Sequence, residues 1–122
     1  MANSTPLETA HAYFSPWNAY DVDAIVALFG DCGTFWDNQM PSPRPMRDLA
    51  PGFHSLLAST NNLVFEVVES FAAEDGRVVV EWIMRGEKAD GTPSAIPGID
   101  VFGIKSEAIK AVRAYMNPSA LS

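Results

Sequence analysis

Three residues in this 122-residue chain combine a reactive side chain with an unusual setting: Asp100, Asp37 and Tyr13. Asp100 interrupts the apolar run Ile99-Asp100-Val101-Phe102, and strand alternation gives it the same face as Phe102 and Ile104. On a buried face a carboxyl loses hydration, which disfavours its charged form, so it would stay protonated near neutral pH and donate a hydrogen bond. On a solvent-facing edge the same residue would be an ordinary ionised aspartate; burial decides. Asp37 ends the aromatic segment Phe35-Trp36, where a carboxylate could face a pocket mouth and act as a base, although aspartates at strand ends also serve as turn formers. Tyr13 lies beside a helical apolar stripe. Its phenol is either satisfied core or, if it converges with the two carboxyls, part of a site. His11 and His54 each lack a partner and read as surface or satisfied side chains. No serine or cysteine sits in a nucleophile elbow, and no glycine-rich phosphate loop occurs.

The elements that must position these groups can be read from spacing. Thr5-Pro6-Leu7-Glu8 is a capping box with proline at the first helical position, and Leu7, Ala10, Phe14 and Trp17 then form one apolar stripe. Pro16 removes a backbone donor, which predicts a kink or an end near Ser15. Asp21 caps a second helix carrying Val22, Ile25, Val26 and Phe29, and Gly30 stops it. After the short strand Thr34-Phe35-Trp36, three prolines predict a long irregular loop from about Asn38 to Arg47. Asp48 is the expected cap of a third helix with Leu49, Phe53, Leu56 and Leu57 inward, Pro51 falling in its first turn. Beyond Leu63 the pattern turns to strands. A hairpin over about 62–73 and 77–88 turns at Glu74-Asp75-Gly76-Arg77; after a turn at Asp90-Gly91-Thr92-Pro93, strands 96–104 and 108–116 complete an antiparallel meander. Helices followed by a curling sheet make a single α+β domain over 1–122, whose three helices close a conical pocket on one sheet face.

Composition narrows the partners. Fifteen acidic against eight basic residues leave a net charge of −7, with no basic cluster to meet nucleic-acid phosphates or anionic lipid. At 48% hydrophobic and 19% charged residues the chain must bury a core. Its longest wholly apolar run, Ala24 to Phe29, is far short of the roughly 20 residues that cross a bilayer. The first residues carry no basic-then-apolar pattern, so a cytoplasmic location is expected. Cys32 is the only cysteine and neither histidine has a ligand partner at zinc spacing, so neither an intrachain disulfide nor a structural zinc site is expected.

Several strings resemble the NTF2-like superfamily, and within it the ketosteroid isomerase and SnoaL-like branch. Ala12-Tyr13-Phe14 through Trp17-Asn18-Ala19-Tyr20-Asp21-Val22-Asp23-Ala24-Ile25-Val26 is similar to its first two helices. Thr34-Phe35-Trp36-Asp37 is similar to its first strand, Pro97-Gly98-Ile99-Asp100-Val101-Phe102 to its acid-bearing strand, and Val112-Arg113-Ala114-Tyr115-Met116 to its last strand, the pocket wall. The resemblance implies a cone-shaped fold with three N-terminal helices on a curved antiparallel sheet. It also implies a homodimer through the open sheet and a small apolar carbonyl compound as substrate. By motif, Asp37 falls on the general base, and Tyr13 and protonated Asp100 on the pair of donors that stabilise an enolate oxygen; no cofactor or metal is needed. Trp17, Phe53, Trp82, Met84, Phe102, Val112, Ala114 and Met116 are the expected substrate-binding residues. Three positions depart from the pattern: Phe29 stands where a supporting tyrosine can occur, Asn38 where proline is frequent, and Met116 in place of an aromatic.

The isomerase expectation has three rivals. A SnoaL-like polyketide cyclase would use the same Asp100 as acid and base. An epoxide hydrolase would need an arginine between two carboxylates, and the nearest option, Arg85, alternates onto the face opposite Trp82 and Met84. A non-catalytic small-molecule binding module would leave Asp100 solvated or tied to a structural donor.

Overall fold

A computed structural model describes residues 5–88 and 90–117; the leader-free reading of residues 1–4 and the last five residues of the expected 1–122 domain lie outside it. Helix α1 (Pro6–Ala12) opens on the expected capping box: the Thr5 hydroxyl accepts from the Glu8 N–H at 3.1 Å, and Glu8 Oε1 accepts from the Thr5 N–H at 2.9 Å. The chain breaks at Tyr13 and resumes as α2 (Phe14–Asn18). The break comes earlier than the expected Ser15 because Pro16 acts one turn back, where it can neither bond nor tolerate the Ala12 carbonyl. Asp21 caps α3 (Val22–Ala27) through the Ala24 N–H; the helix ends at Ala27, before the expected stop at Gly30, because Leu28, Phe29 and Gly30 tighten into i→i−3 turns, and Gly30 leaves with φ +63°.

Strand β1 (Thr34–Asp37) is followed by β2 (Arg44–Pro45), a short pairing inside the stretch expected to be wholly irregular, and by α4 (Met46–Ala58). Pro45, not Asp48, occupies the N-cap. Asp48 sits instead in the first turn, where its charge suits the helix dipole. With the start moved back, Pro51 lies inside the helix and deprives it of one hydrogen bond.

Strands β3 (Asn61–Ala72), β4 (Arg77–Glu87), β5 (Pro93–Lys105) and β6 (Ala108–Met116) form the meander. The six strands make one open sheet in the order β2-β1-β6-β5-β4-β3. The sheet is mixed and not wholly antiparallel, because β1 runs parallel to β6. Sequence alternation fixes which face a side chain takes but not the direction of a neighbour as distant in the chain as Ala111 is from Thr34, so only hairpin-linked strands were legible as pairs. The helices cover one face, where Val78, Val80, Trp82, Phe102, Ile109 and Val112 are buried against Ala10, Phe14, Val22, Ile25 and Phe29. The outer face carries Val64, Phe71, Ile99 and Tyr115 partly in solvent. Among the described residues no helix is long and apolar enough to cross a membrane.

Candidate active site

Register brings the two carboxyls together. Asp100 on β5 pairs with Ala114 on β6, and Ala114 pairs with Asp37 on β1. Residues paired across adjacent strands share a face, so Asp37 and Asp100 flank Ala114 in one row. With strands about 4.8 Å apart, their backbones are roughly 10 Å apart. The methyl group of Ala114 between them leaves a gap, and that gap is part of a cavity of about 140 Å3. Its walls include Tyr13 from the α1–α2 break, Trp17 from α2, Phe53 and Leu56 from α4, and Trp82 and Met84 from β4. The three candidate chemical groups, Tyr13, Asp37 and Asp100, thus line one space.

Each is held by its surroundings. Tyr13 is 2% exposed, with its ring edge-on to Phe14 and Phe102, both at 5.3 Å, and to Phe29 at 5.9 Å. Phe29 supports the ring but brings no hydroxyl to the phenol. Burial first, then the neighbouring Asp100 charge, push the Tyr13 hydroxyl well above its usual range, while the Trp17 indole opposes them. Tyr13 is therefore a hydrogen-bond donor at any physiological pH.

Asp100 is 3% exposed. Loss of hydration raises its carboxyl from the ordinary aspartate value to about 7, and the nearby Trp82 indole pulls weakly the other way. Neither indole makes a hydrogen bond of ordinary geometry. Among the described residues, the buried side-chain nitrogen and oxygen atoms without a partner are Trp17 Nε1, Trp82 Nε1 and Asp100 Oδ1, and all three belong to residues lining this cavity. Buried polar atoms are seldom left unpaired, and a cluster of them marks a place where a polar ligand atom can be received.

Asp37 is held at the end of β1 by local bonds. Its Oδ1 accepts from the Gln39 N–H at 2.8 Å and its carbonyl from the Met40 N–H at 2.9 Å. Asn38, one of the three departures from the family pattern, is a clamp. Its amide donates to the Met116 carbonyl at 2.7 Å and its Oδ1 accepts from the Met116 N–H at 3.3 Å, tying the end of β1 to the end of β6.

Six of the eight residues expected to bind substrate line the cavity: Trp17, Phe53, Trp82, Met84, Ala114 and Met116. Phe102 and Val112 do not. Both are fully buried in the core, Phe102 packing behind Tyr13 and Phe14, because the helices cover their part of the inner face and the cavity opens toward the other end of the strands. Phe35, Gln39, Leu56 and Phe65 also line the space. Alternation on β1 and β3 gave a signal for the two phenylalanines; nothing local marked Gln39. Arg85 lies outside, its Nε donating to Glu66 at 2.8 Å on the outer face. Among the described residues no group of three or more His, Cys, Asp or Glu gathers to hold a metal ion.

The SnoaL-like domain model matches residues 10–112. The chain belongs to the SnoaL-like domain family, in the NTF2-like superfamily, as the strings around Tyr13, Asp37 and Asp100 implied. Its fold is similar to that of a protein from Catenulispora acidiphila with a ketosteroid isomerase-like fold, solved with trimethylamine (22% identity, 96% of this chain and 90% of that one, TM-score 0.82). It is also similar to a protein from Xanthomonas campestris provisionally named a polyketide cyclase (22% identity, 95% and 93% coverage, TM-score 0.83). A third neighbour is the epoxide hydrolase/cyclase-like enzyme SalBIII of pyran ring formation in salinomycin (24% identity, 94% and 92% coverage, TM-score 0.80). At these identities the likeness is one of fold. No curated protein matches the chain in sequence.

Proposed function

We propose that the chain is a cofactor-independent isomerase that moves a carbon–carbon double bond into conjugation with a ketone in a small apolar substrate. What carries the reading is the cross-strand row of Asp37, Ala114 and Asp100 beside the Tyr13 phenol, all on one apolar cavity. The carbonyl oxygen sits near Tyr13 and neutral Asp100, which replace water as its hydrogen-bond donors. Asp37, as the base, takes a proton from the carbon between the carbonyl and the double bond. The electron pair moves toward oxygen, and the dienolate is stabilised by the two donors in a water-poor site, where each is worth more than in water. The Asp37 carboxylic acid then returns the proton to the far carbon, and both charge and protons balance. The inner cavity suits a single ring such as cyclohex-3-enone.

A second reading, supported by the same unpartnered Asp100 and by the fold shared with SalBIII and the Xanthomonas protein, is ring closure of a polyketide-like chain with Asp100 as acid and base. The two separate at Asp37. Isomerisation of cyclohex-3-enone, followed by the ultraviolet absorbance of the conjugated product, should fall about a hundredfold to ten-thousandfold in Asp37→Asn. Equal rates for variant and wild type would remove the isomerase.

A further inference from the structure

The inner cavity is small for a whole metabolite. About 140 Å3 is the size of a hole that holds one benzene-sized ring, below the roughly 300–1,000 Å3 usual for pockets of drug-sized ligands. Beside it lies a second space of about 220 Å3, to which Met40, Leu49 and Gly52 contribute and which shares Phe35, Asp37, Phe53 and Leu56 with the first. Apart from Asp37, every residue lining this annex is apolar or glycine. Gly52, in α4, leaves its side of the annex open: a Cβ added there would meet nothing within 4 Å. The opposite wall is tied down: the Trp36 indole N–H donates to the Met40 carbonyl at 2.7 Å, and Met40 Sδ accepts from the Asp37 N–H at 3.4 Å.

We infer that the site takes a two-part substrate: one carbonyl-bearing ring in the inner cavity, and an apolar chain of several carbons that leaves past Asp37 and Phe53 into the annex, with Gly52 setting how much chain is admitted. This deepens the isomerase reading and rests on it only for placing the oxygen near Tyr13 and Asp100. Continuity carries the argument. The two spaces share Phe35, Asp37, Phe53 and Leu56, so the residues common to both include the carboxylate that would meet the substrate. A ligand reaching the base has an apolar hollow directly beyond it.

Ligands that cannot react test this apart from catalysis. 4-Alkylphenols from methyl to hexyl present a hydroxyl where an enolate oxygen would lie, and their binding to the full chain can be followed by tryptophan fluorescence, since Trp17 and Trp82 line the cavity. Affinity should rise about twofold to fourfold per methylene until the annex is full. Gly52→Leu, and separately Leu49→Gln, should bring the hexyl-to-methyl affinity ratio close to one, each variant being checked for folding by its circular dichroism melt. A flat series in the wild type, absence of binding by every member, or a slope that survives both substitutions would overturn the inference. A sloped series without enone isomerisation would sink the isomerase and leave the annex standing; isomerisation with a flat series would do the reverse.

Discussion

Asp100 shows at the scale of one residue how burial changes what a side chain can do. Its carboxyl is protonated in the native state up to about pH 7, whereas in the unfolded chain it ionises near the ordinary aspartate value. Below about pH 4 both states hold the proton and the group contributes no pH dependence. As pH rises the unfolded chain releases its proton first, so stability falls until Asp100 itself ionises, and is flat above. The whole effect is roughly 4 kcal/mol. Asp100→Asn should therefore gain melting temperature relative to wild type at pH 8 and lose that advantage at pH 4; a difference independent of pH would mean the carboxyl is hydrated. In the proposed mechanism the same titration would govern activity: neutral Asp100 would donate to an enolate and ionised Asp100 would repel it, so kcat/KM for cyclohex-3-enone should decline above about pH 7, and the decline should vanish in Asp100→Asn.

At the scale of elements, the site depends on two small residues in strands. Gly98 on β5 pairs with Trp82 on β4, and a Cβ there would lie 2.6 Å from Trp82 Cζ2, so the indole lies across the glycine. Gly98→Ala should cost about 1–3 kcal/mol in urea unfolding, as overpacking does, and should change the cavity fluorescence by displacing Trp82. Ala114 plays the complementary part. Leucine there would fill the gap between Asp37 and Asp100, so Ala114→Leu should raise KM for the ring substrate steeply; an unchanged KM would show that substrate does not pass between the carboxyls. The break at Tyr13 is a third such device. Pro16 ends α1 one turn early and sets the phenol at a corner between two helices.

On the scale of the whole molecule, one sheet face is covered by helices and the other is bare. Cross-strand rows bring Phe71, Val79 and Val101 together on that outer face and set Ile99 beside Tyr115, whose ring meets Trp36 at 5.3 Å. Phe71 is 58% exposed and Ile99 41%. The homodimer that the family resemblance implies would use this face, where covering Phe71 and Ile99 removes exposed apolar surface from water. Wild type should sediment at twice the chain mass, and Ile99→Arg at the chain mass; a monomeric wild type at micromolar concentration would remove the dimer.

Much of this was legible in the linear chain, because it depends on near neighbours. The capping box at Thr5, the Asp21 cap and the hairpin turn at Glu74 to Arg77 each involve residues a few positions apart, and two-residue alternation gave Asp100 the face of Phe102, leaving its burial open. The missed cap at Pro45 and the early break at Tyr13 were small errors in the same local physics. What no spacing could supply was the parallel pairing of β1 with β6. That contact joins segments separated by most of the chain, and it alone sets Asp37 in line with Ala114 and Asp100. Packing of the helices on the sheet decided that Phe102 and Val112 back the core while Gln39 and Leu56 face the cavity. Sequence determines a side chain's type and its face; which distant strand lies beside it is settled only when the whole sheet packs against its helices.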